Sequence, residues 1–371
     1  MLEEVARANF PQGRLLLPGL RELSWPWFTW RDFIPIRHLL CDTLTTLEIK
    51  RDFRSGGADI QSEEERSNLL SVIASICSLP KLSHLSIEST LYEIHPPTVQ
   101  QYYESLFSPN SCIHTLEIAV KNDQMVLLPI LGQMLNLSTL TVILPVPQML
   151  PQLHQPLEHG VGLFKSLRSL TIRSGPLESA AEFLGLIGST RVHTLHIVGS
   201  RLPAASDGTP LCAHLHKWES LKNFKLESQG GFSVLKMDDI RGLLENCTRL
   251  ENFAVSRYVV DIEDKDMLVI AKSWPNIQTF SMNTRMLERA PYRVTLVGLQ
   301  GLLVGCTRLS AVAMCLDLSI IPNADDLPIR ESSDRVELRI GGYFFAWSTA
   351  SEKYCSEIDA RGYPVMFLPT Y

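Results

Sequence analysis

The nonapeptide Cys247-Thr-Arg-Leu-Glu-Asn-Phe-Ala-Val255 returns fifty-nine residues later as Cys306-Thr-Arg-Leu-Ser-Ala-Val-Ala-Met314. Reduced to its apolar positions, the phrase is apolar-x-x-apolar-x-apolar. Copies begin at Leu20, Leu44, Leu82, Ile113, Leu137, Leu167, Val192, Leu221, Leu250, Ile277 and Leu309. Arg335-Val-Glu-Leu-Arg-Ile340 reads as a degenerate twelfth. The ten intervals from 20 to 309 average about 29 residues, at the long end of the leucine-rich-repeat range.

Within each copy, apolar and polar residues alternate, which is the period of a strand with one buried face. The stretches between copies read helical. Ser62-Glu-Glu-Glu65 forms a capping box ahead of Arg66-Ser-Asn-Leu-Leu-Ser-Val-Ile, and Asp238 or Asp239 caps the run from Ile240. Each repeat is therefore strand, turn, helix, turn, a unit that buries its apolar face only by stacking on neighbours. A doubly wound βαβ domain also alternates strands and helices, but its buried strands are unbroken apolar runs.

The expected fold is an α/β leucine-rich-repeat solenoid, a horseshoe of about 11–12 repeats. Its parallel strands line the concave face and its helices the convex face. Residues 1–19 form an N-terminal cap segment, 20–342 the solenoid and 343–371 a C-terminal cap without repeat register. Phe344, Phe345 and Trp347 in that last segment cover the terminal apolar face. Segments 144–162 and 199–210 are loops from which the repeat resumes in phase.

Composition narrows the function. The chain has 371 residues, 45% of them hydrophobic, and a net charge of −6. A nucleic-acid binder of this size would be basic. The first residues hold two glutamates and no signal-like apolar run, and no apolar stretch is long enough for a spanning helix. The eight cysteines include no CxxC pair and read as reduced thiols, placing the protein in the cytoplasm or nucleus. Cys247 and Cys306 are expected to be buried structural residues at the turn before a strand.

The paired phrases at Cys247 and Cys306 resemble the cysteine-containing repeats of F-box proteins. Leu79-Pro-Lys-Leu-Ser-His-Leu-Ser-Ile87, Phe164-Lys-Ser-Leu-Arg-Ser-Leu-Thr-Ile172 and Trp274-Pro-Asn-Ile-Gln-Thr-Phe-Ser-Met282 are similar to repeats of fungal F-box/leucine-rich-repeat proteins. The resemblance spans residues 20–342. It implies a non-enzymatic protein-binding scaffold, the substrate-recognition part of an SCF-type ubiquitin ligase. A Leu-Pro-x-Glu phrase, with which the family's F-box usually opens, does not occur ahead of the repeats. A Skp-type adaptor is accordingly expected as a partner only if an F-box lies upstream of Met1. The alternatives are a stand-alone leucine-rich-repeat regulator without a ubiquitin link, or a GTPase-activating repeat protein using Arg173, Arg257 or Asn283.

The partner, a protein, is expected along the concave face of a monomer. Residues between the buried positions of each strand point outward there. They assign the binding strip to Glu48, His84, Glu88, Glu117, Arg173, His196, Lys225 and Glu227, flanked by Thr194, Asn223 and Asn252. The early members are acidic and the later ones largely basic, which suits recognition by charge complementarity.

No catalytic, cofactor or metal set emerges. His193 and His196 face opposite sides of a strand. His214 and His216 share one side but have no further ligand at zinc spacing. Asp261-Ile-Glu-Asp-Lys-Asp266 lacks the glycine and glutamate of a calcium loop and reads as an acidic helix start. Phosphate-loop and nucleophile-elbow motifs do not occur.

Overall fold

A computed structural model describes residues 17–27, 34–51, 63–87, 104, 106–108, 111–120, 127–144, 162–173, 177–199, 211–229, 234–283, 293–318, 320, 323, 325, 335–341 and 349–367. It divides into two compact units. One comprises residues 1–170 and 187–189, and the other residues 171–186 and 190–371.

In the first unit, strands β1 (Glu22–Trp27), β2 (Thr46–Arg51), β3 (His84–Ile87), β4 (Thr115–Ala119) and β5 (Thr139–Ile143) follow one another as parallel neighbours. Helices α1 (Glu63–Cys77) and α2 (Leu127–Gly132) sit in the intervals. The boundary between units falls inside β6 (Ser169–Arg173).

The second unit opens with α3 (Leu177–Leu186). It continues through β7 (Thr194–Gly199), a 3-10 helix at Leu211–Lys217, β8 (Asn223–Ser228), β9 (Val234–Lys236), α4 (Met237–Asn246) and β10 (Asn252–Ser256). Then come β11 (Val259–Asp261), α5 (Asp264–Ser273), β12 (Thr279–Asn283), α6 (Leu296–Gly305), β13 (Ala311–Cys315), β14 (Glu337–Gly341), α7 (Thr349–Ala360) and β15 (Val365–Phe367). Strands β7, β8, β10, β12, β13, β14 and β15 pair in that order, all parallel. A small parallel pair, β9 and β11, sits where β8 and β10 lead toward their helices.

The recurring phrase has a physical reading in both units. Its first residue closes a turn onto a buried residue three positions earlier. Leu44 N donates to Cys41 O, Leu167 N to Phe164 O, Leu221 N to Trp218 O, Leu250 N to Cys247 O, Ile277 N to Trp274 O and Leu309 N to Cys306 O, at 2.9–3.2 Å. Cysteine, tryptophan and phenylalanine thus fill one slot, and all six are buried. Cys247, Trp274 and Cys306 also close the preceding helix by donating to Leu243 O, Ile270 O and Leu302 O.

The second residue of the phrase locks each strand onto the previous one. Thr45 N bonds Arg21 O, Ser83 N bonds Thr45 O, His114 N bonds Ser83 O and Ser138 N bonds His114 O, at 2.8–2.9 Å. Lys222, Glu251, Gln278 and Ser310 continue the pattern in the second unit. Where this residue is serine or threonine, its hydroxyl repeats the bond, as Ser310 Oγ does to Gln278 O at 2.9 Å. Buried backbone groups need partners, so this position anchors the register.

The remaining apolar positions are core. Leu85, Leu116, Leu140, Leu170, Leu195, Phe224 and Phe253 are at most 2% exposed. Phe253 stacks on Phe224 and Phe280 at centroid distances of 5.8 and 5.4 Å, with Trp274 at 4.9 Å. Helices α5 and α6 approach closely because α6 turns glycines toward α5. A Cβ at Gly305 would lie 2.7 Å from Ala271 Cβ.

Two sequence expectations are corrected. The tail is not without register: Leu338 N donates to Pro364 O at 2.9 Å, and β15 runs parallel to β14. His214 and His216 lie in a 3-10 helix, not on a strand. Ser62, the expected cap of α1, lies outside the described residues, as do Phe344, Phe345, Trp347 and both loops' central portions.

Candidate protein-binding face

Strand alternation leaves one face of each sheet to its helices and turns the other outward. In β4, β5 and β6 the pattern is strict, with Leu116 and Ile118, Leu140 and Val142, Leu170 and Ile172 buried while their neighbours are half-exposed. Parallel register then aligns the outward residues in rows.

The first unit carries the row Ser24, Glu48, Ser86, Glu117, Thr141. Glu48 is held by Lys50 Nζ at 2.8 Å. The Lys50 hydrogen bond, opposed by desolvation, keeps its carboxyl below the usual range. Glu117 accepts a hydrogen bond from Ser86 Oγ at 3.0 Å. His84 sits one step earlier, level with Thr46 and Thr115. The two glutamates are two strands apart, with Ser86 of β3 between them. Glu88 lies outside the described residues.

The second unit brings the later residues together. His196 and Lys225 are register partners, and Glu227 lies two residues further along β8. Glu227 faces Lys225 Nζ at 3.1 Å, His196 Nε2 at 3.7 Å and Arg257 Nη1 at 3.7 Å. Burial works to raise the Glu227 carboxyl. The Lys225 hydrogen bond and the charges of Lys225, Arg257 and His196 outweigh it and hold the group low. Arg173 is close enough to act on His196, whose imidazole is pushed down chiefly by burial, then by Lys225, with Arg173 adding to it and Glu227 opposing. At 3.7 Å the His196–Glu227 separation exceeds hydrogen-bond reach, and His196 Nε2 is buried with no hydrogen-bond partner.

Arg257 was not legible in the repeated phrase as a member of the strip. It follows β10 and adopts φ 66°, a left-handed conformation rare for a residue with a side chain. That turn lets it reach back to Glu227 from one strand over.

Beside this cluster the floor is small. The row from Lys225 continues through Ala254, Ser281 and Ala313. Along its edge runs a polar ladder. Thr279 Oγ1 donates to Asn252 Oδ1 at 2.5 Å, Asn252 Nδ2 to Asn223 Oδ1 at 2.6 Å, and Asn223 Nδ2 to Thr194 Oγ1 at 3.1 Å. Each amide donates and accepts, so the ladder fixes the side chains across four strands.

On the helix side, Leu268, Ala271, Pro275 and Val304 help to line a groove of about 450 Å³ between α5 and α6. Asp264, from the acidic stretch, accepts from Thr295 N, Thr295 Oγ1 and Gly298 N and so caps α6. Cys247 is fully buried, and burial pushes its thiol up to about 12. Cys306 contacts Trp274 O at 3.7 Å and is likewise buried. Among the described residues no cluster of three metal-ligating side chains occurs. Among them, too, no helix is long and apolar enough to cross a membrane.

Comparison with known proteins returns no matching family model and no matching curated protein. Among solved structures, the chain is similar to a crystal structure of a protein from Bacteroides fragilis, at 15% identity and a TM-score of 0.34. The match covers 65% of this chain and 61% of that one.

Proposed function

We propose that the chain is a leucine-rich-repeat solenoid acting as a non-enzymatic scaffold that binds a protein on the outward face of its sheets. By its repeat phrases it resembles the substrate-recognition part of a fungal F-box protein. One observation carries the reading. The outward rows hold mostly polar and charged side chains in parallel register, over an opposite face built mainly of buried apolar residues such as Leu116, Leu140 and Phe253. Sites built on strands are positioned more accurately than sites on loops, and repeat proteins bind along such extended surfaces.

The test is affinity capture from cell extract by wild-type protein and by two outward-face variants, Glu48→Lys/Glu117→Lys and Lys225→Glu/Arg257→Glu. Partner proteins identified with wild type are expected to be lost with at least one variant while melting temperatures hold. A partner set identical for all three refutes the outward face as the binding surface. Co-purification of a Skp-type adaptor with the longest transcript product separates the ubiquitin-linked receptor from a stand-alone regulator.

A further inference from the structure

We infer that the cluster formed by Lys225, Glu227 and Arg257 is a docking site for an acidic segment of a protein partner, whose carboxylates it receives. This rests on the proposed binding face and names the chemistry of its occupant.

Charge comes first. Two cationic side chains, Lys225 and Arg257, flank a single carboxylate, Glu227, in a chain whose net charge is −6. The local excess of positive charge therefore runs against the balance of the molecule. Lys225 and Arg257 are both about half exposed, so their remaining donors reach solvent. Glu227, with only 23% of its side chain exposed, cannot saturate an ammonium and a guanidinium that together carry eight N–H donors.

Backbone geometry agrees. Among the described residues, only Phe164 and Arg257 have a positive φ without being glycine. Phe164 is buried, in the turn that leads into β6. Arg257 is exposed, and its left-handed turn aims a guanidinium at the outward face. Residues held in this region concentrate at ligand clamps and similar functional sites.

Shape supplies the third element. Ala254, Ser281 and Ala313 leave a shelf beside Lys225, flanked by the Thr194–Asn223–Asn252–Thr279 ladder. A peptide can lie on this shelf with its acidic side chains at the Lys225–Arg257 end. A nucleic-acid strand suits it less, because two cationic side chains at one end of the shelf cannot follow a continuous run of phosphates.

The experiment measures fluorescence anisotropy of the full chain with fluorescein-labelled hexaglutamate, hexalysine and a Gly-Ser hexapeptide. Saturable binding of hexaglutamate, weakening as salt rises, is expected. Lys225→Glu should weaken it at least tenfold, whereas Lys353→Glu, an equal change of net charge on α7, should leave it within twofold. Arg257→Gly removes the guanidinium at a position glycine accepts, so it should weaken binding while the melting temperature holds. No saturable hexaglutamate binding, or equal losses in Lys225→Glu and Lys353→Glu, overturns the inference. Phage-selected peptides then separate the two levels. Binders that are not acidic, yet are lost on Ser281→Trp, leave the binding face standing and sink its acidic occupant. If no selected peptide is sensitive to Ser281→Trp, the face itself falls.

Discussion

Arg257 Nη1 lies 3.7 Å from Glu227 Oε1, and it gets there through a backbone φ of 66°. The left-handed conformation costs a residue with a Cβ about 1–2 kcal/mol. A half-exposed ion pair returns only about 0–1 kcal/mol. The arrangement is thus not explained by stability. Replacing Arg257 with glycine should leave stability within about 1 kcal/mol, since relief of strain offsets the lost pair and the more flexible unfolded chain. Arg257→Val should be less stable than Arg257→Gly by about 1–2 kcal/mol, because a β-branched side chain resists positive φ. Urea denaturation of both variants ranks them. If valine matches glycine, the left-handed turn is not a constraint in solution.

His196 gives the protein a pH dependence with a defined sign. Burial and the neighbouring cations lower its pKa below that of a free imidazole, so the unfolded chain takes up the proton first. Stability from the neutral imidazole is complete above about 6.5 and is lost as pH falls below it. Substitution by glutamine, which cannot charge, should flatten that slope. His214, shifted the same way by its own burial, leaves a residual slope. Chemical denaturation at pH 7.5 and pH 5.5 gives the comparison. A wild-type loss no larger than that of His196→Gln removes His196 from the account.

The repeat was readable because burial writes itself into spacing. Leu85, Leu116, Leu140 and Leu170 recur where a strand needs its buried residue, and parallel pairing makes them register partners from β3 to β5. Degenerate Val336-Glu-Leu-Arg-Ile340 was readable for the same reason and forms β14. Strand β15 was not, because Val365–Phe367 is three residues long and has no leading leucine; its position follows from backbone bonds such as Leu338 N to Pro364 O. The α4 cap shifted for a similar reason. The helix starts at Met237, and Asp239 reaches back from the first turn to Lys236 N at 2.7 Å. On the outward face, alternation was enough to put His196, Lys225 and Glu227 on one side of their strands. It could not find Arg257, which depends on one backbone torsion after the strand ends. Nor could it show that Glu48 is paired with Lys50, since both lie on the same strand two residues apart and either could have turned away.

The cysteines divide by burial. Cys112 is exposed, while Cys247 and Cys306 are fully buried, and the Cys247 thiol is pushed up to about 12 by desolvation. Burial likewise pushes Cys77 and Cys355 up to about 11. Thiolate is the reactive form. Iodoacetamide at pH 8 should therefore modify Cys112 within minutes and Cys247 and Cys306 only as the chain unfolds. Peptide mapping by mass spectrometry reads the order. Early modification of Cys247 would show that its turn opens in the native state.

Phe253 occupies the centre of an aromatic stack, in contact with Phe224, Phe280 and Trp274. Truncation to alanine removes all three contacts and leaves a cavity that neighbouring strands cannot close. The expected loss is about 3–5 kcal/mol. Ala254, one residue on, faces outward and is half-exposed, so Ala254→Ser should cost less than about 0.5 kcal/mol. Equilibrium unfolding of the pair checks the alternation directly. Comparable losses would mean that the two faces of β10 are not distinct.

Asp264 links two neighbouring helices. It lies in the first turn of α5, and its carboxylate accepts from Thr295 N and Thr295 Oγ1 at 2.7 Å and from Gly298 N at 3.1 Å, at the start of α6. Removing it as Asp264→Ala strands these donors and should cost about 2 kcal/mol. Gly298 is the other half of the arrangement. In an open helix Gly→Ala gains about 1 kcal/mol. Here the added Cβ would run into Asp264 Oδ1 and meet Val294 Cγ1 at 2.9 Å, so Gly298→Ala should destabilise instead. The double variant decides between a clash with the carboxylate and a general intolerance of bulk. With Asp264 already alanine, part of the obstruction is gone, and the two losses should sum to more than the double variant shows, by about 1 kcal/mol. Strictly additive losses in a double-mutant cycle would mean that the glycine answers to Val294 and the helix backbone, and that the Asp264 cap does not depend on it.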